Sequence, residues 1–226
     1  MSHYDTFDNE EERLSQINGF YETSGIFRLY NVNRTKLGNN VMKVQFFDCR
    51  GIHFYAKIYF RKKNQKILIY TIKNEFVGTI EKKNNTFTLY PNNEVKPILI
   101  IKHIYNNNGP SSAAVLLTTQ HTTRYSINNF IKSKITKDIE NQFPVGQYVI
   151  NQVPIVSNWY DKTYTMRFIQ SNITSSRKNI RLNIPFRDKT ILEFGKIGRN
   201  QFNVISRDDF YPVRTAAFCF SWLSIL

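Results

Sequence analysis

The residues in this sequence that are best suited to bind a ligand are basic residues that occur in short runs. Arg61, Lys62 and Lys63 are consecutive, and Lys66 follows three residues later. In an extended chain Arg61 and Lys63 point to one side and Lys62 to the other. Cations that converge from neighbouring strands bind a group with several phosphates better than dispersed cations do. Taken alone, these residues are more typical of an ordinary solvated hairpin between two strands, and residue types by themselves favour that interpretation.

A second set of cations lies later in the chain. Its members are Arg167, Arg177, Lys178, Arg181 and Arg187. They predict either an extension of the basic surface or a contact with nucleic acid. Few aromatic residues lie between them, and the chain has no helix-turn-helix, zinc-finger or ribonucleoprotein signature. Nucleic-acid binding, as in a transcription-related protein, is therefore the alternative interpretation.

The charge is distributed unevenly along the chain. The net charge is +14, although residues 1–12 contain five acidic residues and no lysine or arginine. We predict that residues 1–18 form an acidic, flexible N-terminal lead and that residues 19–226 form a single domain. The basic domain should attract polyanions, either phosphoinositide-containing membranes or nucleic acid.

Enzymatic chemistry finds little support in the motifs. The chain has no GxSxG elbow, no Walker loop and no GxGxxG fingerprint. The histidines, His3, His53, His103 and His121, do not have metal-ligand spacing. We therefore predict a protein that is not an enzyme and that has neither a cofactor nor a metal site.

Two features of the chain favour an intracellular location. The N-terminus has no apolar segment of the kind that a secretory signal contains. Cys49 and Cys219 lie far apart in the sequence, so we expect no disulfide framework, which suits a reducing compartment.

Most segments of the chain around these cations are predicted to be strands. Aromatic residues make up 15% of the chain, which favours β structure. No strand–helix–strand rhythm occurs, so we predict a mainly β fold, a closed antiparallel barrel. The predicted strands are Gly25–Val32, Val41–Phe47, Ile52–Phe60, Ile67–Ile72, Phe76–Lys82, Thr86–Tyr90, Pro97–Tyr105, Ala113–Thr119, Tyr148–Val153, Tyr164–Gln170, Asn179–Ile184, Thr190–Ile197 and Gln201–Ser206.

One amphipathic helix interrupts the strands. Within Ser126–Phe143, the apolar residues Ile131, Ile135, Ile139 and Phe143 recur every four residues, with lysines between them. This spacing predicts a basic amphipathic helix. Such a helix either caps a barrel or lies on a membrane surface, and the first arrangement is the more common one.

The C-terminal segment is apolar on every side. Thr215–Leu226 contains no charge, yet it is shorter than the roughly 20 residues that cross a membrane. We predict a helix that is buried at the centre of the barrel. Pro212 suits its first turn, and Asp208 or Asp209 could cap its start.

Several of these segments, in this order, resemble the C-terminal domain of the tubby family. The family has an apolar-F-G-(R/K)-V strand, a strand with F-x-(M/V), a Y-P turn and a buried A-F-A-I-type helix. The matching residues are Phe194–Ile197, Phe202, Tyr211-Pro212 and Ala217-Phe218. Weaker matches upstream are Val77–Ile80 with Thr86–Tyr90, Trp159 with Tyr164–Phe168, and Ser175–Asn179. The resemblance implies a barrel of about twelve strands around a central buried C-terminal helix. It also implies binding of phosphatidylinositol 4,5-bisphosphate and a role as an adaptor in trafficking or signalling.

Carried onto this sequence, the resemblance implies a lipid-headgroup site at Arg61, Lys62, Lys63 and Lys66. An arginine of the family's next hairpin falls near Glu81, so Lys82 or Lys83 is expected to take its place. The implied partner is a phosphoinositide-containing membrane, which the protein would bind reversibly at the cytoplasmic face of the plasma membrane, with the nucleus as an alternative location. Protein partners stay unknown.

The sequence departs from the family at some points. Phe168–Asn172 lacks the family's H/K-G-R-V pattern, and the chain stops at Leu226 without the family's A-C-E tail. A scramblase-like membrane protein resembles the same fold and is a further alternative. It would require the terminal helix to lie in lipid.

Overall fold

The structure is a computed structural model, and the part of the chain that it describes is mainly β. It describes residues 26–59, 64–104, 112–118, 122–133, 148–151, 155–158, 163–166, 168–184, 189–208 and 210–225. The strands, in chain order, are β1 (Phe27–Lys36), β2 (Val41–Asp48), β3 (Gly51–Tyr59), β4 (Asn64–Thr71), β5 (Phe76–Lys83), β6 (Thr86–Pro91), β7 (Leu99–Ile104), β8 (Ser112–Leu117), β9 (Tyr148–Asn151), β10 (Ile155–Asn158), β11 (Thr163–Thr165), β12 (Ile180–Ile184), β13 (Lys189–Gly198) and β14 (Gln201–Arg207). The helices are α1 (Arg124–Lys132) and α2 (Pro212–Leu223).

The strands form an antiparallel barrel. Its order is β1-β14-β13-β12-β9-β8-β7-β6-β5-β4-β3-β2, and β1 pairs with β14 on one side and with β2 on the other. Inward-facing residues alternate with outward-facing ones, as in β2, where Met42, Val44 and Phe46 are buried. The prediction of a mainly β, antiparallel barrel followed by a C-terminal helix is confirmed.

Strands β10 and β11 form a separate two-stranded sheet. The predicted strand Tyr164–Gln170 is therefore wrong in its extent, because β11 ends at Thr165. Beyond it, the backbone of Ile169 donates to both carboxylate oxygens of Glu193, at 3.1 and 3.0 Å. The backbone N–H of Ile169 is thus satisfied by the Glu193 side chain and not by the carbonyl of a neighbouring strand.

Helix α1 begins where a side chain caps it. Thr123 accepts a hydrogen bond from the backbone of Ser126 at 3.1 Å. The predicted apolar face is wrong in the described part, since Phe130 is buried and Ile131 is 38% exposed. The predicted residues Ile135, Ile139 and Phe143 lie outside the described residues. Phe130 packs against a cluster on the outer side of β7 and β8, so α1 covers the barrel wall.

Helix α2 has Pro212 in its first turn, as predicted. The predicted cap is wrong for Asp208, because this carboxylate binds Arg28 Nε at 2.5 Å instead, and the N-cap residue Tyr211 makes no side-chain capping bond. Asp209 lies outside the described residues. Ser221 donates to the carbonyl of Phe218 at 2.8 Å, so its hydroxyl is satisfied within the helix.

The helix shares a hydrophobic core with the strands. Every side chain from Val213 to Leu223 is buried. The apolar ones from Ala216 to Leu223 belong to one core with inward-facing residues of β1 to β8 and β12 to β14. None of the helices in the described residues combines the length and the hydrophobicity that crossing a membrane requires.

Candidate functional site

Antiparallel pairing brings several strand ends and α2 to the same end of the barrel. β1 ends there at Lys36, β5 at Lys83 and β13 at Gly198, so the hairpins that follow these strands all turn at this end, and the β1–β2 and β13–β14 hairpins are neighbours. The last turn of helix α2 also lies near this end, because Trp222 stacks on His103 of β7 and donates its indole N–H to the carbonyl of Lys178. We call it the basic end, after its described cations, which are Arg34, Lys36, Lys66, Lys82, Lys83, Lys178, Lys196 and Arg199.

The most concentrated group of charges at the basic end surrounds Phe202. Arg34 Cζ lies 5.9 Å from the centroid of this ring, and Lys178 Nζ lies 5.8 Å from it. Burial, with the nearby positive charges of Arg34 and Lys196, lowers the pKa of Lys178 to about 8. Burial also lowers the pKa of Arg34. We call Arg34, Lys178 and Lys196 the cation cluster.

The β13–β14 turn positions Arg34. Its Nε donates to Asn200 Oδ1 at 2.8 Å, and its backbone N–H donates to the carbonyl of Asn200 at 3.0 Å. Asn200 has a φ of 64°, a conformation that asparagine tolerates better than most residues. The arginine of β1 is therefore held against the neighbouring hairpin by two bonds.

Lys178 is positioned by α2 and β13. The indole N–H of Trp222 donates to the carbonyl of Lys178 at 2.6 Å. The adjacent Asn179 accepts a bond from the backbone of Lys196 at 2.9 Å, and Thr174 donates its backbone N–H to the carbonyl of Lys196 at 2.7 Å. Three elements thus bring the cluster together, and among the described residues no carboxylate forms an ion pair with it.

Lys82 faces the interior side of the basic end. It lies opposite Gln65 in the β4–β5 ladder, and its Nζ is 5.5 Å from the ring centroid of Phe87. Burial lowers its pKa. Lys83, the next residue, is exposed at the end of β5. The two lysines proposed as substitutes at the hairpin therefore point to opposite faces of one strand.

Lys66 is already paired. It lies opposite Glu81 in the ladder, and Lys66 Nζ is 2.9 Å from Glu81 Oε1. The prediction of a turn through Lys66 is wrong, because β4 begins at Asn64, where pairing with Lys83 starts. Glu81 is the acidic residue that the described strand ends bring to the basic end.

The remaining basic residues that the sequence suggested as ligands are not part of the cation cluster. Arg61, Lys62 and Lys63 lie outside the described residues, as do Arg167 and Arg187. Arg177 is exposed near the cation cluster.

Arg181 instead binds neighbouring side chains of the barrel wall. Its Nε donates to Thr190 Oγ1 at 2.6 Å and lies 3.5 Å from a carboxylate oxygen of the buried Glu193. The second basic set therefore divides, and Lys178 is its member within the cation cluster.

Sequence reasoning missed Arg34 as a site residue and used Lys196 only as part of a fold motif. Both occur singly in otherwise ordinary strand segments. The available signal was weak: a basic residue at the end of the first strand and another near an Asn-containing turn. Their proximity depends on the β1–β14–β13 register, which no short sequence motif encodes.

Family models and curated proteins assign no family to this chain. No family model matches it, and no curated protein matches it. The candidate site therefore rests on the geometry and charge of the basic end.

Proposed function

We propose that this protein is a phosphoinositide-binding, membrane-associated protein of the tubby type, which docks through the basic end of its barrel. The observation that carries the proposal is the cation cluster, in which Arg34, Lys178 and Lys196 converge with no ion-paired carboxylate among the described residues. An inositol polyphosphate headgroup supplies the several negative charges that such a cluster lacks.

The charges around the cluster support the same proposal. Lys36, Lys83 and Arg199 are exposed at the basic end, whereas Glu81 is neutralised by Lys66. A flat anionic membrane can contact many hairpins of one barrel end at once, and each lysine or arginine near such a surface contributes about 1 kcal/mol. Long-range attraction by the +14 chain would precede capture of a headgroup.

We also infer the finer architecture that the resemblance implies, about twelve strands around a central helix. The burial of α2 supports it, as do its contacts with different parts of the barrel. Thr215 donates to Ser206 of β14 at 3.0 Å, and Trp222 stacks on His103 of β7 with centroids 5.0 Å apart. In this arrangement the C-terminal end of α2 underlies the basic end.

The proposed location is the cytoplasmic face of the plasma membrane, bound reversibly. The reversibility follows from the type of attraction, because exposed charges are screened by salt and released when the lipid loses its phosphates. An adaptor role in trafficking or signalling would additionally require a protein partner.

Liposome co-sedimentation at about 0.15 M salt tests this proposal under realistic screening. Vesicles with phosphatidylinositol 4,5-bisphosphate would be compared with phosphatidylserine vesicles of equal charge and with neutral vesicles. The informative variants are Lys178→Gln/Lys196→Gln in the cation cluster, Lys82→Gln/Lys83→Gln, and Arg61→Ala/Lys63→Ala at the sequence-predicted site. Lys96→Gln/Lys189→Gln, at the opposite end, is the control with the same change in charge.

We expect preferential binding to phosphoinositide vesicles and a roughly thirtyfold loss in Lys178→Gln/Lys196→Gln, from about 1 kcal/mol per lysine. The control should bind like the wild type. Equal binding to both anionic vesicles would reduce the function to general charge attraction. If the protein bound an oligonucleotide and none of the vesicles, the result would favour the nucleic-acid alternative.

A further inference from the structure

A groove on the side wall of the barrel is lined by lysine, amide, aromatic and aliphatic side chains. It crosses the outward-facing side chains of β2, β3 and the end of β4, and its volume is about 300 Å³. Residues that line it include Lys43, Gln45, Tyr55, Lys57, Ile72 and Asn74. We call it the wall groove. Its volume lies at the lower limit of small-molecule sites.

Two lysines face each other at one end of the wall groove. Lys43 of β2 lies directly opposite Lys57 of β3 in the ladder. Like charges in directly opposed positions are destabilising unless something compensates for them. Among the described residues neither lysine forms an ion pair with a carboxylate, and Lys43 Nζ instead lies 5.1 Å from the ring centroid of Tyr55.

Tyr55, in the middle of the groove, is held rigidly. Its ring stacks on Tyr70 with centroids 5.6 Å apart and an interplanar angle of 22°, and Tyr70 in turn contacts Phe76. Its hydroxyl hydrogen-bonds to Asn74 Oδ1 at 2.5 Å, and Asn74 is fixed in a turn with a φ of 66°. A row of aromatic residues across three strands therefore fixes the aromatic wall of the groove.

The far end of the groove is apolar with polar edges. Ile52 and Ile72 line it, about 13 Å along the strands from the lysines. Because Asn74 uses its carbonyl oxygen with Tyr55, its amide NH₂ is left to donate, and Gln45 lies opposite Tyr55 with a second amide. The groove thus offers cations at one end, an aromatic edge in the middle, and an apolar surface with amide groups at the other end.

We propose that the wall groove binds a nucleotide. Its phosphate would lie between Lys43 and Lys57, since no carboxylate of the described residues pairs with either ammonium group. The planar base would lie against Tyr55, Ile52 and Ile72, with Gln45 and Asn74 as hydrogen-bonding partners for its edge. The site lies on the barrel wall and shares no residue with the cation cluster, although Lys43 lies opposite Thr35, next to Lys36 of the basic end.

Isothermal titration calorimetry of the full chain tests this site with defined probes. The probes are adenosine 5′-monophosphate, adenosine, inorganic phosphate, inositol 1,4,5-trisphosphate and a short single-stranded oligonucleotide. The variants are Lys43→Gln/Lys57→Gln, which removes both charges, and Tyr55→Phe, which keeps the ring and loses the bond to Asn74. Lys96→Gln/Lys189→Gln is the charge-matched control.

We expect the nucleotide to bind more tightly than adenosine or phosphate alone, and its affinity to fall at least about tenfold in Lys43→Gln/Lys57→Gln. The control should be unchanged, and Tyr55→Phe should weaken binding by a smaller factor. Thermal unfolding gives a second readout: the nucleotide should raise the midpoint of the wild type and not that of the double variant. That variant is expected to fold, because it removes an unfavourable pair of like charges.

Three results would overturn the proposal. The first is the absence of nucleotide binding, and the second is binding that both lysine substitutions leave unchanged. The third is a lysine-dependent preference for inositol trisphosphate or for the oligonucleotide, which would assign the groove to a headgroup or to single-stranded nucleic acid.

Discussion

His103 is a buried polar residue that no hydrogen bond compensates in the described structure. It is 2% exposed, stacks on Trp222 and meets Phe87 edge to face, with both centroid distances 5.0 Å. Neither ring nitrogen has a hydrogen-bond partner among the described residues. Burial, together with the positive charge of Lys82, lowers its pKa to about 3. The folded protein therefore holds this imidazole in its neutral form.

This burial predicts that the free energy of unfolding falls as the pH is lowered from 7 to 5. Histidine in the unfolded chain has a pKa of about 6.5, so the unfolded state binds a proton that folded His103 does not bind. The associated stability is present above about pH 6.5 and is lost progressively toward pH 3. The expected loss between pH 7 and pH 5 is about 2 kcal/mol.

Urea unfolding of the wild type and of His103→Phe at pH 7 and pH 5 measures how much of the pH-dependent change in the free energy of unfolding comes from His103. The variant keeps an aromatic ring between Phe87 and Trp222 but has no group to protonate. Its stability should depend less steeply on pH by the amount given above. The same pH dependence in both proteins would contradict the assignment.

At the scale of elements, a lysine on a strand completes the end of a helix. Lys102 Nζ donates to the carbonyls of Phe130 at 3.3 Å and Ile131 at 2.6 Å, and also to the carbonyl of Ser133. The last carbonyls of a helix lack partners within the helix, and a cation there also complements the helix dipole. One side chain of β7 thus fixes α1 against the barrel wall.

We expect Lys102→Met to destabilise the protein by about 2 kcal/mol, because buried carbonyls lose a charged donor while the apolar stem is kept. The loss should be concentrated in α1. Hydrogen exchange of the helix amides should therefore accelerate more than exchange in β13. Lys132→Met, at an exposed position in the last turn of α1, is the control and should change stability by less than about 0.5 kcal/mol. Equal effects of the two substitutions would contradict the capping role.

At the scale of the whole molecule, α2 and the barrel depend on one another. Phe218 is fully buried and belongs to the same core cluster as inward residues such as Val44, Ile80 and Val204. A barrel without α2 would expose these residues, and α2 without the barrel would expose apolar residues on every side. Folding of the two parts should therefore be a single cooperative event.

We expect Phe218→Ala to lower the free energy of unfolding by about 4 kcal/mol, from lost burial and the cavity that it leaves. Val95→Ala is the control, since Val95 is 93% exposed and should contribute little. Guanidinium unfolding followed both by tryptophan fluorescence and by far-ultraviolet circular dichroism gives the comparison. If the two probes diverged in the wild type, barrel and helix would not unfold together.

The elements that depend on local pattern could be predicted from residue order. Alternating apolar residues predicted most strands, and the uncharged segment from Thr215 predicted the C-terminal helix. These patterns are readable because burial of one face, or of all faces, follows directly from residue order. The same reasoning gave the wrong face for α1, because the packing of Phe130 on β7 and β8, and not helix periodicity alone, decides which side is buried.

Which charged residues meet depends on the pairing of distant segments in the fold. Lys66 was expected to be free for a ligand, yet the β4–β5 register places it opposite Glu81. Arg34 and Lys178, far apart in sequence, meet over Phe202 because β1 pairs with β14 and because Trp222 holds the carbonyl of Lys178. Register and long-range packing are set by the burial of the entire core, so the sequence near each cation does not reveal its neighbours.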